Sequence, residues 1–309
     1  MDYSLFWIPA TLIAAIAQTG RNAAQSNLTR ILSPIGAAHI RFLYALPFAC
    51  IFLPVILYLT GEPLPDIRNL RFFSFICLGS VLQVTATALM LWAMEKQSFS
   101  VVTAIMKTEP VQIALFAVIF LHEHFPLTVW IAIFIATAGV LVTVMKPGKS
   151  APIGNPEQSR LKAVLAGILA GAFFAFTTLA FQVAIRELTG HSAFVQASTS
   201  LVASLFVQTI ILFVLMLVFK RPALIGSFKL WRSSLGVGFL GAAASQFWFI
   251  AFALASAANV RTLGLVEVLV AYFVSRRLLH QDTSRQEIAG MILIVLGVGL
   301  MLWAQANIG

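Results

Sequence analysis

The side chains in this chain that could do chemistry stand out because nearly everything around them is apolar. The first hydrophobic stretch carries Gln18, Arg21, Asn22 and Gln25, a spacing that gathers them on one stripe of a helix. His39 and Arg41 follow, then Gln83 and Thr87 one turn apart with Trp92 beyond them, then Thr103, Lys107 and Glu109. The later half adds Gln182, Gln196, Gln246 and Trp248, and the pair Arg261 and Glu267. A charged side chain at a bilayer centre costs about 2.5–3.5 kcal/mol on insertion scales, so each of these residues is a functional hypothesis. Guanidinium, ammonium and amide groups hold anions and zwitterions, and either glutamate could carry a proton.

Each residue also has a plainer reading. Arg21 could snorkel from a helix end to the interface. Arg41 lies well inside its span with few polar neighbours, which favours a cavity-facing role. Lys107 and Glu109, two apart, point to different sides of a helix and must find partners on other spans or in water. Pro110 frees a carbonyl one turn back and bends its helix beside Glu109, as a transport site or hinge would require, or simply as a structural kink. The counterpart Glu267-Val268 has no proline, so the two helices are expected to bend differently.

No catalytic set can be assembled. His122, His124 and His280 are too scattered for a metal site, and no Ser/His/Asp arrangement or phosphate-cradling glycine loop exists. Cys50 and Cys77 both fall in apolar stretches and read as packing residues, not as a disulfide or metal pair. An enzyme is therefore disfavoured, and no cofactor or metal is expected.

The elements that must position these residues are transmembrane helices. Hydrophobic residues make up 60% of the 309 positions and charged ones 10%, with a mean hydropathy of +0.94, outside the usage of soluble domains. Crossing about 30 Å of hydrocarbon takes about 20 apolar residues. Such stretches fall near 4–26, 34–60, 72–94, 98–121, 127–145, 161–185, 193–219, 234–254, 258–279 and 286–305. The first lacks a basic leader and a small-residue cleavage pattern, and so reads as a span and not a signal peptide. The formal charge of +9 is dispersed among short loops, which argues against nucleic acid as a partner.

The linker 146–160, rich in Pro and Gly, divides the chain into a five-helix unit over 1–145 and a second over 161–309. A shift of 158 residues lays the fourth and fifth spans on the ninth and tenth, matching Glu109 with Glu267, Leu121-His122 with Leu279-His280, and Gly139-Val140 with Gly297-Val298. Coincident Glu and His are rare in such segments, so a duplication is inferred. Five is odd, so the second half must enter the membrane from the opposite side. The expected fold is an all-α membrane protein with ten transmembrane helices as two inverted five-helix repeats, the plan of secondary transporters. Loops after odd-numbered spans hold thirteen Lys and Arg and the others three, Arg68, Arg71 and Arg186, which places both termini outside the cytoplasm.

In the fourth and fifth spans, Lys107-Thr108-Glu109-Pro110-Val111, Leu121-His122-Glu123 and Ala138-Gly139-Val140-Leu141 resemble the EamA-type repeat of the drug/metabolite transporter superfamily. That repeat carries a Glu-Pro in one apolar helix, then an acidic turn, then a glycine-containing fifth helix. Ser33-Pro34 with Arg41-Phe42 looks like its second helix. This chain departs from the pattern at His122, where glycine is usual, and at Val268 in place of proline. The resemblance implies a ten-helix secondary transporter of the inner or plasma membrane that moves amino acids or other small metabolites, often outward. Several members have cytoplasmic termini, opposite to the charge count.

Within the spans, Arg21, Arg41, Lys107 and Arg261 outnumber Glu109 and Glu267, which points to a substrate with a carboxylate or phosphate. Gln18, Asn22, Arg41, Gln83, Trp92, Lys107 and Glu109 are expected to line the first half's share of a cavity, and Gln182, Gln196, Gln246, Arg261 and Glu267 the second's. A monomer in the bacterial inner membrane, with lipid as its surroundings, completes the expectation. The rival is a lipid or lipid-precursor carrier, flippase- or scramblase-like, whose arginines would grip head groups. In an alignment on Ser33 and Ser192, Ala180 and Phe181 stand where the first half has Arg21 and Asn22, so the halves share a frame but not a chemistry.

Overall fold

In a computed structural model, residues 4–29, 34–96, 106–144, 156–270 and 285–306 are described. Among them every regular element is helical. A short 3-10 turn at Ser4–Phe6 leads into α1 (Trp7–Thr29), followed by α2 (Pro34–Leu43), α3 (Ala45–Thr60), α4 (Leu70–Lys96), α5 (Glu109–Leu121) and α6 (Leu127–Val144). The second half contributes α7 (Pro156–Glu187), α8 (Ala193–Phe219), α9 (Arg221–Lys229), α10 (Trp231–Leu254), α11 (Ala257–Gly264) and α12 (Arg285–Ala306).

Six stretches are long and apolar enough to cross a membrane: Ile35–Thr60, Leu70–Met90, Leu165–Glu187, Ala193–Phe219, Trp231–Leu254 and Arg285–Ala306. Each lies where the sequence predicts a span. α5 and α6 are shorter apolar helices. α1 is long enough, but its polar second half, from Gln18 onward, makes it less apolar than those six. The end of the expected ninth span, the start of the fourth and most of the central linker lie outside the described residues.

The second span is interrupted at Tyr44, between α2 and α3. Pro47 explains the break, since it has no N–H to offer the Leu43 carbonyl and its ring crowds that position. Cys50 is exposed on α3 and Cys77 is half-buried, so only the latter fits the packing role expected of both thiols.

The helices form two compact units, Met1–Val84 with Thr177–Ser256, and Thr85–Phe176 with Ala257–Gly309. Each draws helices from both halves of the sequence, and α4 and α7 contribute to both.

In the first unit, α1 packs on α10, and α3 packs on α8 and α10. One end is closed by two loops. The Glu62 carboxylate accepts the Ser192 backbone N–H at 2.9 Å and faces His191 Nδ1 at 3.4 Å. Hydrogen bonding from Ser192, aided by His191, holds the Glu62 carboxyl below the usual range. Gln196 donates to the carbonyls of Leu188 and His191, both at 3.0 Å, and fixes the second loop. The last residues of α3 thus meet the first residues of α8, its repeat counterpart. The two helices run antiparallel.

In the second unit, α6 and α12 are also repeat counterparts, and they too run antiparallel. A Cβ on Gly139 would come within 2.7 Å of the Gly290 carbonyl and the Ile294 nitrogen, and one on Gly297 within 2.5 Å of the Ala136 nitrogen and 2.8 Å of the Ala132 carbonyl. Subtracting the repeat offset from Gly290 and Ile294 gives Ala132 and Ala136, so the contact is reciprocal about a local two-fold axis. Small residues let the two backbones touch without a hydrophobic driving force between them. Beside this pair, Phe116 of α5 stacks on Phe176 at 4.2 Å.

α5 ends at His122, whose φ of 54° is left-handed. This is the position where the family pattern has glycine, and the reason is steric: a left-handed helix cap brings Cβ against the following carbonyl at roughly 1–2 kcal/mol.

Two outcomes follow from these contacts. Gly139→Ala and Gly297→Ala should each lower stability by about 1–3 kcal/mol through overpacking, read as a drop in the thermal unfolding midpoint in detergent, whereas Gly299→Ala, which meets open space, should leave it unchanged. His122→Gly should raise the midpoint, by about 1 kcal/mol of stability, because the exposed imidazole has little contact to lose.

Candidate functional site

The first unit holds a cavity of about 30 Å³, partly open. α2 brings Arg41 to it, α4 brings Gln83, α8 brings Ser204 and Gln208, and α10 brings Ser245. The apolar wall includes Phe42, Leu201 and Phe249. Gln208 Nε2 donates to Gln83 Oε1 at 2.6 Å, so the two amides brace each other across helices. Ser80 donates to the Ser204 carbonyl at 3.4 Å. Arg41 lies over the Phe42 ring at 5.2 Å, which favours the charge through the ring's quadrupole.

Gly241 also lines the cavity. A Cβ there would sit 3.5 Å from Arg21 Cδ and 3.7 Å from the Arg41 carbonyl. The stem of Arg21, only 4% exposed, therefore runs beside the cavity, and its guanidinium donates to Asn22 Oδ1 at 2.8 and 3.3 Å. The lining thus contains a cation, hydroxyls, amides and rings, with no carboxylate among it. Such a set can hold an anionic group by paired N–H donors, with an apolar remainder against the wall.

Around this core, Trp248 Nε1 donates to Gln18 Oε1 at 3.2 Å, tying α1 to α10. Gln246, 5% exposed, donates to Ser198 Oγ at 2.9 Å, and its Oε1 has no partner among the described residues. Two expected lining residues are engaged elsewhere. Gln182 is fully buried and donates to the carbonyls of Phe252 and Ala255, at 3.2 and 2.7 Å, capping the end of α10. Gln196 fixes the loop before α8. Both amides satisfy backbone carbonyls, a role that amides in apolar spans fill as readily as ligand binding. The side chain of Gln25 lies outside the described residues.

The second unit holds Lys107, Glu109, Arg261 and Glu267, the other charged residues expected within spans. Met106 is helical, a turn follows at Lys107 and Thr108 before α5 begins, and α11 ends before a matching turn at Leu265 and Val266. Each helix restarts with the same pair of bonds: the N–H groups of Val111 and Gln112 meet the Thr108 carbonyl at 3.1 and 3.3 Å, and those of Leu269 and Val270 meet the Val266 carbonyl at 2.9 and 3.1 Å. The breaks are one repeat offset apart. The proline-free copy is thus interrupted at the same place as the copy with Pro110, because a helix can be interrupted by what it packs against as well as by proline.

The charges pair across the repeat. Lys107 forms an ion pair with Glu267, and Arg261 Nε meets Glu109 Oε1 at 3.5 Å. Glu109 and Arg261 also act on Lys107 electrostatically, so the four form one cluster with no net charge. The side chains are between 13% and 24% exposed, so removing one would leave its partner's charge poorly solvated. Lys107 and Glu109 each make their ion pair with a residue of another span. Trp92 belongs to this unit and is 42% exposed.

Sequence reasoning missed Ser204, Gln208 and Ser245. The first two are four apart on α8, and that polar pair in a strongly apolar span was the available signal. No group of His, Cys, Asp and Glu among the described residues could hold a metal ion.

A family model described as the EamA-like transporter family matches residues 5–145 and again 161–303. One crystal structure of a protein has the same fold, with a TM-score of 0.70 at 15% identity, covering 97% of this chain and 98% of that one. No curated protein matches the chain.

In a double-mutant cycle of thermal stability, Glu109→Gln and Arg261→Gln should each destabilise and the double variant should recover part of the loss, giving a coupling of about 0.5–3 kcal/mol. Additive effects would dissolve the pair.

Proposed function

Because the chain belongs to the EamA-like transporter family, and so is an integral membrane transporter of the drug/metabolite transporter superfamily, we propose that it carries small metabolites bearing a carboxylate or phosphate. The proposed carrier is secondary active and works by alternating access. Its leading substrates are amino acids and related zwitterions or anions, moved outward. The observation that carries the reading is Arg41 in a cavity otherwise lined by amides, hydroxyls and rings.

Arg41 would grip the anionic group through two parallel N–H donors, a geometry Lys cannot reproduce. Gln83 and Gln208, already braced on each other, would present their remaining amide capacity to the substrate's other polar atoms. Phe249 and Leu201 would receive an apolar side group. Arg21, whose stem passes beside Gly241, brings a second positive charge near the cavity and raises the local potential for an anion.

We place this carrier in the bacterial inner membrane as a monomer with ten spans, counting α1, α5, α6 and the interrupted ninth helix with the six long apolar helices. Antiparallel repeat counterparts in each unit support the inverted plan, which provides two mirror-related arrangements and hence two openings. Glu109 and Glu267 are the residues we assign to any proton coupling, because protonating either would release its cation.

The test is counterflow into proteoliposomes with a panel of organic anions, amino acids and quaternary cations. Anions and zwitterions should exchange. Arg41→Ala should weaken substrate binding by roughly tenfold to a hundredfold, as expected for losing a charged hydrogen bond, while the protein stays folded by thermal unfolding. Preference for quaternary cations, or full transport by the alanine variant, would reject the proposal. Movement of labelled phospholipid without metabolite exchange would assign the lipid-carrier alternative instead.

A further inference from the structure

α9 is too short to span a membrane and joins α8 to α10, two helices long and apolar enough to cross it. It therefore lies at one face of the bilayer. Its sides are sharply different. Leu224 and Ser227 are buried, whereas Ile225 and Phe228 are 55% and 47% exposed, and Trp231, at the start of α10, is 49% exposed. Lys220, Arg221, Lys229 and Arg232 are exposed beside them, and residues 220–232 contain no Asp or Glu.

The inner side is bolted to α2. Ser227 Oγ donates its single proton to the Leu224 carbonyl at 2.7 Å, so it must accept from His39 Nδ1 at 3.0 Å. The Tyr44 hydroxyl donates to the Ser227 carbonyl at 3.0 Å, and the Phe228 ring meets the edge of His39 with centroids 6.2 Å apart. Loop charges that merely orient a span need no such platform. Here a folded helix holds its cations in a set place, with Arg221 Nε on the Leu217 carbonyl at 2.9 Å and Arg232 over the Trp231 ring at 5.2 Å.

The geometry points to α9 and the start of α10 as a binding surface for anionic phospholipid. Phe228, Ile225 and Trp231 would enter the boundary between head groups and acyl chains, and Lys220, Lys229 and Arg232 would take the phosphate and its added negative charge. The charge complementarity is one-sided: cations without a counter-charge in that segment, next to apolar surface that water does not favour. Because Ser227 holds His39 and Tyr44, lipid seated on α9 fixes the end of the helix that carries Arg41. Lipid head-group charge therefore bears on the transport cavity through α2.

The experiment uses the full chain in phosphatidylcholine vesicles doped with brominated phosphatidylglycerol or brominated phosphatidylcholine, with Trp231 fluorescence isolated by subtracting the Trp231→Phe variant. Brominated phosphatidylglycerol should quench Trp231 more strongly. The preference should fall by between about tenfold and a hundredfold in the combined variant Lys220→Gln, Lys229→Gln, Arg232→Gln. Equal quenching by the two lipids in the otherwise unaltered chain overturns the proposal without reference to any variant. So does a preference that survives in the triple variant with its unfolding midpoint intact.

Discussion

A charge inside hydrocarbon has to be answered by another charge, by a ligand or by a route to water, and this structure is arranged around that demand. The cluster of Lys107, Glu267, Arg261 and Glu109 is its clearest expression. Each glutamate stands where a helix restarts, and each finds a cation contributed by the opposite repeat. An interrupted helix exposes backbone groups that lipid cannot satisfy, so such a break survives only among polar or packed neighbours. The cluster and the breaks therefore require each other.

The two units meet the same demand in different ways. In the second, four charges cancel within the protein. In the first, Arg41 lies among neutral donors, acceptors and an aromatic face, and the stem of Arg21 passes close by. Duplication supplied one frame twice, and substitution at a few positions made one copy's chemistry unlike the other's: Arg21 and Asn22 have only Ala180 and Phe181 as counterparts. The interfacial helix α9 extends the difference, since it is fastened to the Arg41-bearing helix through Ser227.

Most of the helices were legible because the bilayer imposes one long apolar run per crossing, a signal that survives without any knowledge of packing. That Lys107 and Glu109 need partners on other spans or in water was legible for a related reason, namely that two residues two apart on a helix point to different sides. What could not be read were the choices that depend on direction in three dimensions. Gln182 and Gln196 have the same composition signal as Gln83, yet they face carbonyls at a helix end and in a loop, while Gln83 faces the cavity. Ser245 is too small and too ordinary in an apolar helix to be noticed until a void is found beside it. The break at Leu265 was hidden because no proline marks it.

The reciprocal contact of Gly139 with Gly290 and Ile294, and of Gly297 with Ala132 and Ala136, bears on ancestry. Residue i touching j while the counterpart of j touches the counterpart of i is the rule for two identical subunits related by a two-fold axis. A single five-helix precursor would already have possessed this surface and could have associated with a copy of itself inserted in the reverse sense. Fusion of two such copies would have had only to keep this close approach, leaving the two halves free to diverge everywhere else.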